Sequence, residues 1–178
     1  MRLEYIDKNV HVSNNSGENE WYTPPDIVSL ARNVMGKIDL DPASSDIANE
    51  TIGAEEYYTM EDDGLEQEWH GNVWLNPPYA QPFISKFASK VSQEYEAGNI
   101  TQACVLVNNA TETEWFRRIA ANAGAICFPG GRIKFLDPGG DASGAPLQGQ
   151  AIIYLGKDIN KFAEAFSLIG MVLCPIGE

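Results

Sequence analysis

Residue types that build metal centres and disulfides are scarce in this chain. Its 178 residues include three cysteines (Cys104, Cys127, Cys174) and two histidines (His11, His70). The cysteines are odd in number, widely spaced and each beside apolar residues, which fits reduced thiols better than disulfides or zinc ligands. The histidines stand apart, so no metal site is expected. Positive charge is also short, with 12 Lys and Arg against 25 Asp and Glu and a formal net charge of −13. That balance argues against a simple nucleic-acid binder, which carries a basic footprint. No apolar run approaches a membrane span, and Met1-Arg2-Leu3-Glu4 lacks the start of a signal peptide. The expectation is therefore no membrane contact and a cytoplasmic location. The glycine-rich dinucleotide fingerprint is missing too, which makes nicotinamide chemistry a poor fit.

What is present is ordinary in bulk and uneven in detail. Hydrophobic content of 44% and charged content of 21% suit a globular protein, and the length suits one domain. Residues 1–85 hold 4 Lys/Arg against 16 Asp/Glu, whereas residues 86–178 hold 8 against 9. A polyanion should therefore meet the second half of the chain.

Four residues organise the rest: Asn76-Pro77-Pro78-Tyr79. Val73-Trp74-Leu75 reads as a short buried strand that the two prolines stop, because proline donates no ladder hydrogen bond. Each residue before a proline is pushed towards extended geometry, which puts Asn76 at the strand's exit. In an open α/β sheet that exit is where ligands bind. The Asn76 side-chain carbonyl and the Pro77 backbone carbonyl give two uncharged acceptors, which can hold an –NH2 group by both hydrogens and turn its lone pair outward. Tyr79 offers a flat face for a planar substrate. The same residues also read as a strand terminator with a core tyrosine.

Residues 1–19 are polar and read as a flexible arm. Glu20-Trp21-Tyr22-Thr23-Pro24-Pro25-Asp26 then opens an amphipathic helix ending near Gly36, with Thr23 as N-cap and Pro24 at the first helical position. Its aromatic pair and first-turn amides either serve the helix alone or line a pocket. Ile38 to Asp41 reads as a strand broken by Pro42, with Asp41 at its carboxyl edge; an acid there receives ribose hydroxyls or a cation, or caps the next turn. Asp62-Asp63-Gly64-Leu65 has turn character within an acidic stretch. Further on come a helix over about 83–97, a strand from Gln102 to Val107, and a capping box Thr111-x-x-Glu114 that starts the next helix. Strands follow at Ala125–Phe128, Arg132–Leu136 and Ala151–Leu155, then a helix opened by Asp158 and a short apolar run at 171–174. The alternation argues for an α/β fold with a mostly parallel sheet, helices on both faces, and an antiparallel hairpin near the C-terminus.

Taken together these motifs resemble the phage-type Dam family of DNA N6-adenine methyltransferases over roughly residues 20–155. The resemblance rests on Glu20 to Pro24, Asp39-Leu40-Asp41-Pro42-Ala43-Ser44, Asp62 to Leu65 with Trp69, Asn76 to Tyr79, Asn109-Ala110-Thr111 with Trp115-Phe116, and Gly131-Arg132-Ile133. It implies a Rossmann-like class I methyltransferase fold, with residues 20–178 as one domain and no separate target-recognition domain. It implies S-adenosylmethionine as methyl donor and duplex DNA with a flipped adenine as partner. Asn76, Pro77, Pro78 and Tyr79 would be catalytic. Trp21, Tyr22, Thr23, Pro24, Asp41, Pro42, Ala43, Asp63 and Asn76 would meet the cofactor. The glycines that usually follow the first-strand acid are absent after Asp41-Pro42-Ala43. Lys86, Lys90, Arg117, Arg118, Arg132 and Lys134 are candidates for DNA phosphate contact, Arg132 first among them. Recognition would come from loops such as 137–149 or from short terminal stretches. A monomer in the cytoplasm, the host's if the chain is phage-encoded, is the expected state.

Two rivals share the chemistry or the charge. An Asn-Pro-Pro-Tyr claw serves equally on a protein glutamine or an RNA base, because the amide or amino –NH2 meets the same acceptors. A non-catalytic acidic protein that mimics DNA would explain the charge, but it leaves the ordered motifs without a purpose.

Overall fold

The structure is a computed structural model, and it describes residues 22–137, 139–142 and 148–175. The expected arm at 1–19 and Trp21 lie outside the described residues, as do parts of the 137–149 loop.

Among the described residues seven strands form a single sheet: β1 (Leu40–Asp41), β2 (Glu56–Tyr57), β3 (Gly71–Leu75), β4 (Ile100–Asn108), β5 (Ala125–Pro129), β6 (Gln150–Leu155) and β7 (Gly170–Leu173). Their spatial order is β2-β1-β3-β4-β6-β5-β7. Strands β2, β1, β3 and β4 run parallel, while β6 is antiparallel to both β4 and β5. β7 closes the far edge antiparallel to β5. The expected antiparallel pair near the C-terminus is β5 and β6, which follow one another in the chain, with β6 inserted between β4 and β5.

Five helices cover the sheet: α1 (Pro25–Met35), α2 (Asp46–Ile52), α3 (Phe83–Glu96), α4 (Glu114–Ala120) and α5 (Ile159–Phe166). Side chains alternate along each strand, so successive residues feed opposite layers. Trp74, Cys104, Leu106, Cys127, Ile152 and Tyr154 pack on one face with residues of α1 and α5. Val73, Leu75, Ala103, Val105, Val107, Ile153 and Leu155 pack on the other with α3 and α4. Burial on both faces is why β4 and β6 read as continuous apolar runs. No helix among the described residues is long and apolar enough to cross a membrane.

Three local expectations change. Thr23 does not cap α1: the N-cap position is Pro24, with no side-chain cap bond, and the helix starts at Pro25. Pro25 forces Pro24 into extended geometry (φ −58°, ψ 141°), and the two prolines together remove donors that a cap would otherwise satisfy. The cap of α4 is Thr113, whose hydroxyl accepts from the Phe116 amide, and not Thr111. Arg132–Leu136 is not a strand. β4 and β5 occupy both edges of β6, and β7 takes the other edge of β5, so neither strand that flanks the segment in the chain has an edge left for it. Instead the Ile133 amide donates to the Gln150 side chain, and Leu136 makes isolated bridges to Tyr22 and Ala142.

Candidate active site

Chain order and strand order diverge at β1. From β1 the chain moves outward through α2 to β2, then returns to place β3 on the other side of β1. This is a topological switch point, and a crevice opens beyond the carboxyl ends of the two strands. Asp41 ends β1 and Asn76 directly follows β3. These two residues, 35 positions apart in sequence, stand at the carboxyl ends of neighbouring parallel strands because Leu40 pairs with Val73.

Asn76 is half-buried and its amide is held at both ends. Nδ2 donates to Thr23 Oγ1 at 3.3 Å, and the Tyr79 hydroxyl donates to Oδ1 at 2.9 Å. The same hydroxyl lies 3.4 Å from the Leu106 carbonyl on β4. Burial pushes the Tyr79 phenol far above its ordinary pKa, so it stays a neutral donor. Pro77 is buried, Pro78 exposed and Tyr79 half-buried against the α3 and α4 layer. A carbonyl oxygen has two lone pairs; Tyr79 occupies one on Asn76 and leaves the other for a ligand.

On the opposite wall, Asp41 is only 3% exposed. Burial raises its carboxyl from 3.8 to about 7, opposed by the Ala43 amide, which donates to Oδ1 at 3.2 Å, and by the nearby Ser44 hydroxyl. Ser44 Oγ is itself buried and completes no well-formed hydrogen bond among the described residues. Pro42 and Ala43 carry the chain off β1, and the Asp62–Leu65 turn folds back over them. Gly64 approaches so closely that a Cβ there would collide with the Pro42 carbonyl oxygen. Asp63 takes a left-handed conformation (φ 49°), with its carboxylate accepting from the Leu65 amide at 3.2 Å. Trp69 fastens the turn: its indole N–H donates to the Gly64 carbonyl at 2.7 Å.

A third wall joins the N-terminal motif to the 129–136 segment. Tyr22 and Leu136 exchange two backbone hydrogen bonds, at 3.0 and 2.9 Å, which set Thr23 beside Asn76. A cavity of about 330 Å³ lies between the start of α1 and this segment, lined by Pro24, Asp26, Gly131, Arg132, Ile133 and Lys134 among others. Arg132 and Lys134 are exposed at its rim. The other basic candidates sit elsewhere. Lys86 and Lys90 are on α3 and Arg117 and Arg118 on α4. Lys90 lies over the Trp69 ring at 5.5 Å and pairs with Glu94, and Arg118 lies 3.9 Å from Glu114.

The structure thus joins Thr23, Asn76 and Tyr79 in one hydrogen-bonded group at the exit of β3, and packs the Asp62–Leu65 turn onto Pro42 at the exit of the neighbouring β1. Gln150 was missed in the sequence. It is 2% exposed, accepts from the Ile133 amide at 3.1 Å, and ties the basic segment to the sheet. Its signal was a lone amide at the head of the apolar run Ala151–Leu155. Among the described residues no cluster of three or more His, Cys, Asp or Glu could hold a metal ion.

The family model for DNA N-6-adenine-methyltransferase (Dam) matches residues 11–169. The chain is 35% identical over 108 residues to a protein of Escherichia phage T1 named DNA N-6-adenine-methyltransferase. That match covers 60% of this chain and 42% of the phage protein, so the chain spans under half the length of the relative it matches. No solved structure matches.

Proposed function

The chain belongs to the DNA N-6-adenine-methyltransferase (Dam) family, and from that premise we propose that it transfers the methyl group of S-adenosylmethionine to the N6 amino group of adenine in DNA. The observation that carries the reading is the Asn76 amide, held by two hydroxyls at the exit of β3, the strand that neighbours β1 and its terminal Asp41 at the switch point. A Rossmann-like class I methyltransferase domain acting as a monomer is the corresponding architecture.

The methyl donor supplies an electrophilic methyl on a sulfonium, so the protein needs no base strong enough to deprotonate an amine. Its task is to make a conjugated amino group nucleophilic. Asn76 Oδ1 and the Pro77 carbonyl would accept hydrogen bonds from the two N6 hydrogens, favouring the positive charge that grows on nitrogen as its bond to the methyl forms and the methyl–sulfur bond breaks. A neutral thioether leaves, and the methylated amine gives up one proton to water. Fixing that nitrogen in line with the methyl removes much of the entropic cost of meeting it. Tyr79 stacks on the base. A duplex base cannot enter this crevice, so the adenine is flipped out at a cost of a few kcal/mol.

The donor set suits the cofactor. Asp41 is a buried carboxyl next to a hydroxyl with no completed bond, a pairing that welcomes ribose hydroxyls. The Asp63 turn, folded over Pro42, offers a carboxylate to the cofactor's adenine. Hydroxyls donate more strongly to the ionised carboxylate than to the protonated one, so binding draws Asp41 towards ionisation. Cofactor affinity is therefore expected to fall about tenfold between pH 8 and pH 6, as the proton returns around pH 7. An Asp41→Asn protein should bind more weakly with a flat profile, as read by calorimetry at the two pH values. The sign for the unliganded fold is opposite. Because its folded pKa is raised, Asp41 contributes stability that is present below about 4 and lost as pH rises through about 7.

Arg132 and Lys134, at the rim of the cavity beside α1, are placed to neutralise DNA phosphates next to the flipped base. Arg132→Ala is expected to weaken duplex binding and reduce the slope of log affinity against log salt by about 1, with cofactor affinity unchanged. Wild-type affinity and slope in that variant would remove Arg132 from the interface. The function itself is tested by incubating the protein with radiolabelled S-adenosylmethionine and DNA, RNA and protein acceptors in parallel. Label entering DNA supports the reading, and label entering only protein or RNA overturns it.

A further inference from the structure

We infer that Thr23 is a positioning residue whose hydroxyl sets the orientation of the Asn76 amide. The inference rests on the proposed role of Asn76 as the acceptor for the target amine. An asparagine amide is nearly symmetric in shape and opposite in chemistry at its two ends, so a half-turn about its last torsion would present two donors where the site needs an acceptor. That torsion is soft, and the strand backbone does not choose between the two states. Neighbouring groups must do so.

Thr23 is suited to this by rigidity. It is 4% exposed and 53 residues from Asn76 in sequence. On one side its backbone follows Tyr22, which is held by both hydrogen bonds to Leu136. On the other it runs into Pro24 and Pro25, where backbone freedom is small. Its hydroxyl is not engaged as the cap of α1, which has no side-chain cap at all. It accepts from Asn76 Nδ2, while Tyr79, resting against the Leu106 carbonyl, donates to Oδ1. Donation from Nδ2 also draws electron density onto Oδ1, which strengthens it as an acceptor for the substrate.

The test compares Thr23→Val, which keeps the shape and removes the hydroxyl, with Thr23→Ser, which restores it. Turnover is measured with labelled S-adenosylmethionine and duplex DNA, and cofactor affinity by calorimetry. The valine variant is expected to lose about 10- to 100-fold in kcat with cofactor Kd within about twofold of the parent, and serine to recover to within about threefold. Wild-type kcat in Thr23→Val overturns the inference, and so does a loss confined to cofactor Kd, which would make Thr23 a cofactor contact. Should the valine variant not fold, Thr23→Ala takes its place with the same expected outcome. Asn76→Ala is run alongside. If it keeps turnover, the reading of Asn76 has failed; if it is inactive while Thr23→Val is normal, only the positioning inference falls.

Discussion

Asn76→Ala is expected to lower methyl transfer by roughly 10³-fold or more, while cofactor affinity stays within about threefold of the parent. The reason is that the Asn76 carbonyl is one of the two acceptors proposed for the target amine, and it acts on the charge that develops in the transition state. Donor binding does not depend on it in the same way, because the opposite wall of the crevice carries Asp41, Ser44 and the Asp63 turn. Stability should change little. Asn76 is half-buried, and the Tyr79 hydroxyl left behind still has the Leu106 carbonyl within reach at 3.4 Å. A melting temperature close to the parent's, read beside the kinetics, separates a lost acceptor from a lost fold. If turnover and cofactor binding vanish together with the melting transition, the variant has misfolded and Asn76→Ser becomes the informative substitution.

Gly64→Ala should damage the other wall. Its Cβ would meet the Pro42 carbonyl oxygen, so the turn must lift away from the exit of β1. It cannot lift freely. Trp69, 3% exposed, holds the Gly64 carbonyl through its indole N–H, and Asp63 already occupies a left-handed conformation with its carboxylate committed to the Leu65 amide. Overpacking against a pinned backbone costs about 1–3 kcal/mol, which in a chain of this length lowers the melting temperature by roughly 3–10 °C. The turn that carries Asp63 moves with the displacement, so cofactor affinity should fall by about 10-fold or more. Melting curves and calorimetry on the same preparation read both effects. Unchanged affinity with a lowered melting temperature would mean that the Asp63 turn braces the fold without meeting the cofactor.

How much of this was legible beforehand varies with how local the signal is. The exit of β3 was readable because Pro77 and Pro78 punctuate an apolar run, and proline acts on its own backbone and its neighbour's. The layered α/β architecture was readable from alternating periodicities. Thr23 was misassigned because capping preference is a short-range rule, and the competing partner, Asn76, lies 53 residues away. Arg132 to Leu136 misled for a related reason. Ile133 and Phe135 are buried while Arg132 and Lys134 are exposed, so the segment has a strand's alternation. Whether it becomes a strand depends on an edge within its reach, and β5 and β6, the strands on either side of it in the chain, have both edges taken. Sheet order is a property of the whole chain, and no window of residues encodes it. Gln150 escaped notice on similar grounds. Its value lies in the Ile133 amide that it satisfies, and that donor lacks a ladder partner only because the segment is not a strand.

The most direct test is to incubate unmodified duplex DNA with the protein and labelled S-adenosylmethionine, digest the product to nucleosides and identify the labelled one. The account predicts N6-methyladenosine in its deoxy form, absent when Asn76→Ala replaces the parent. Label on cytosine, or no label in DNA while calorimetry shows the cofactor bound, would contradict it.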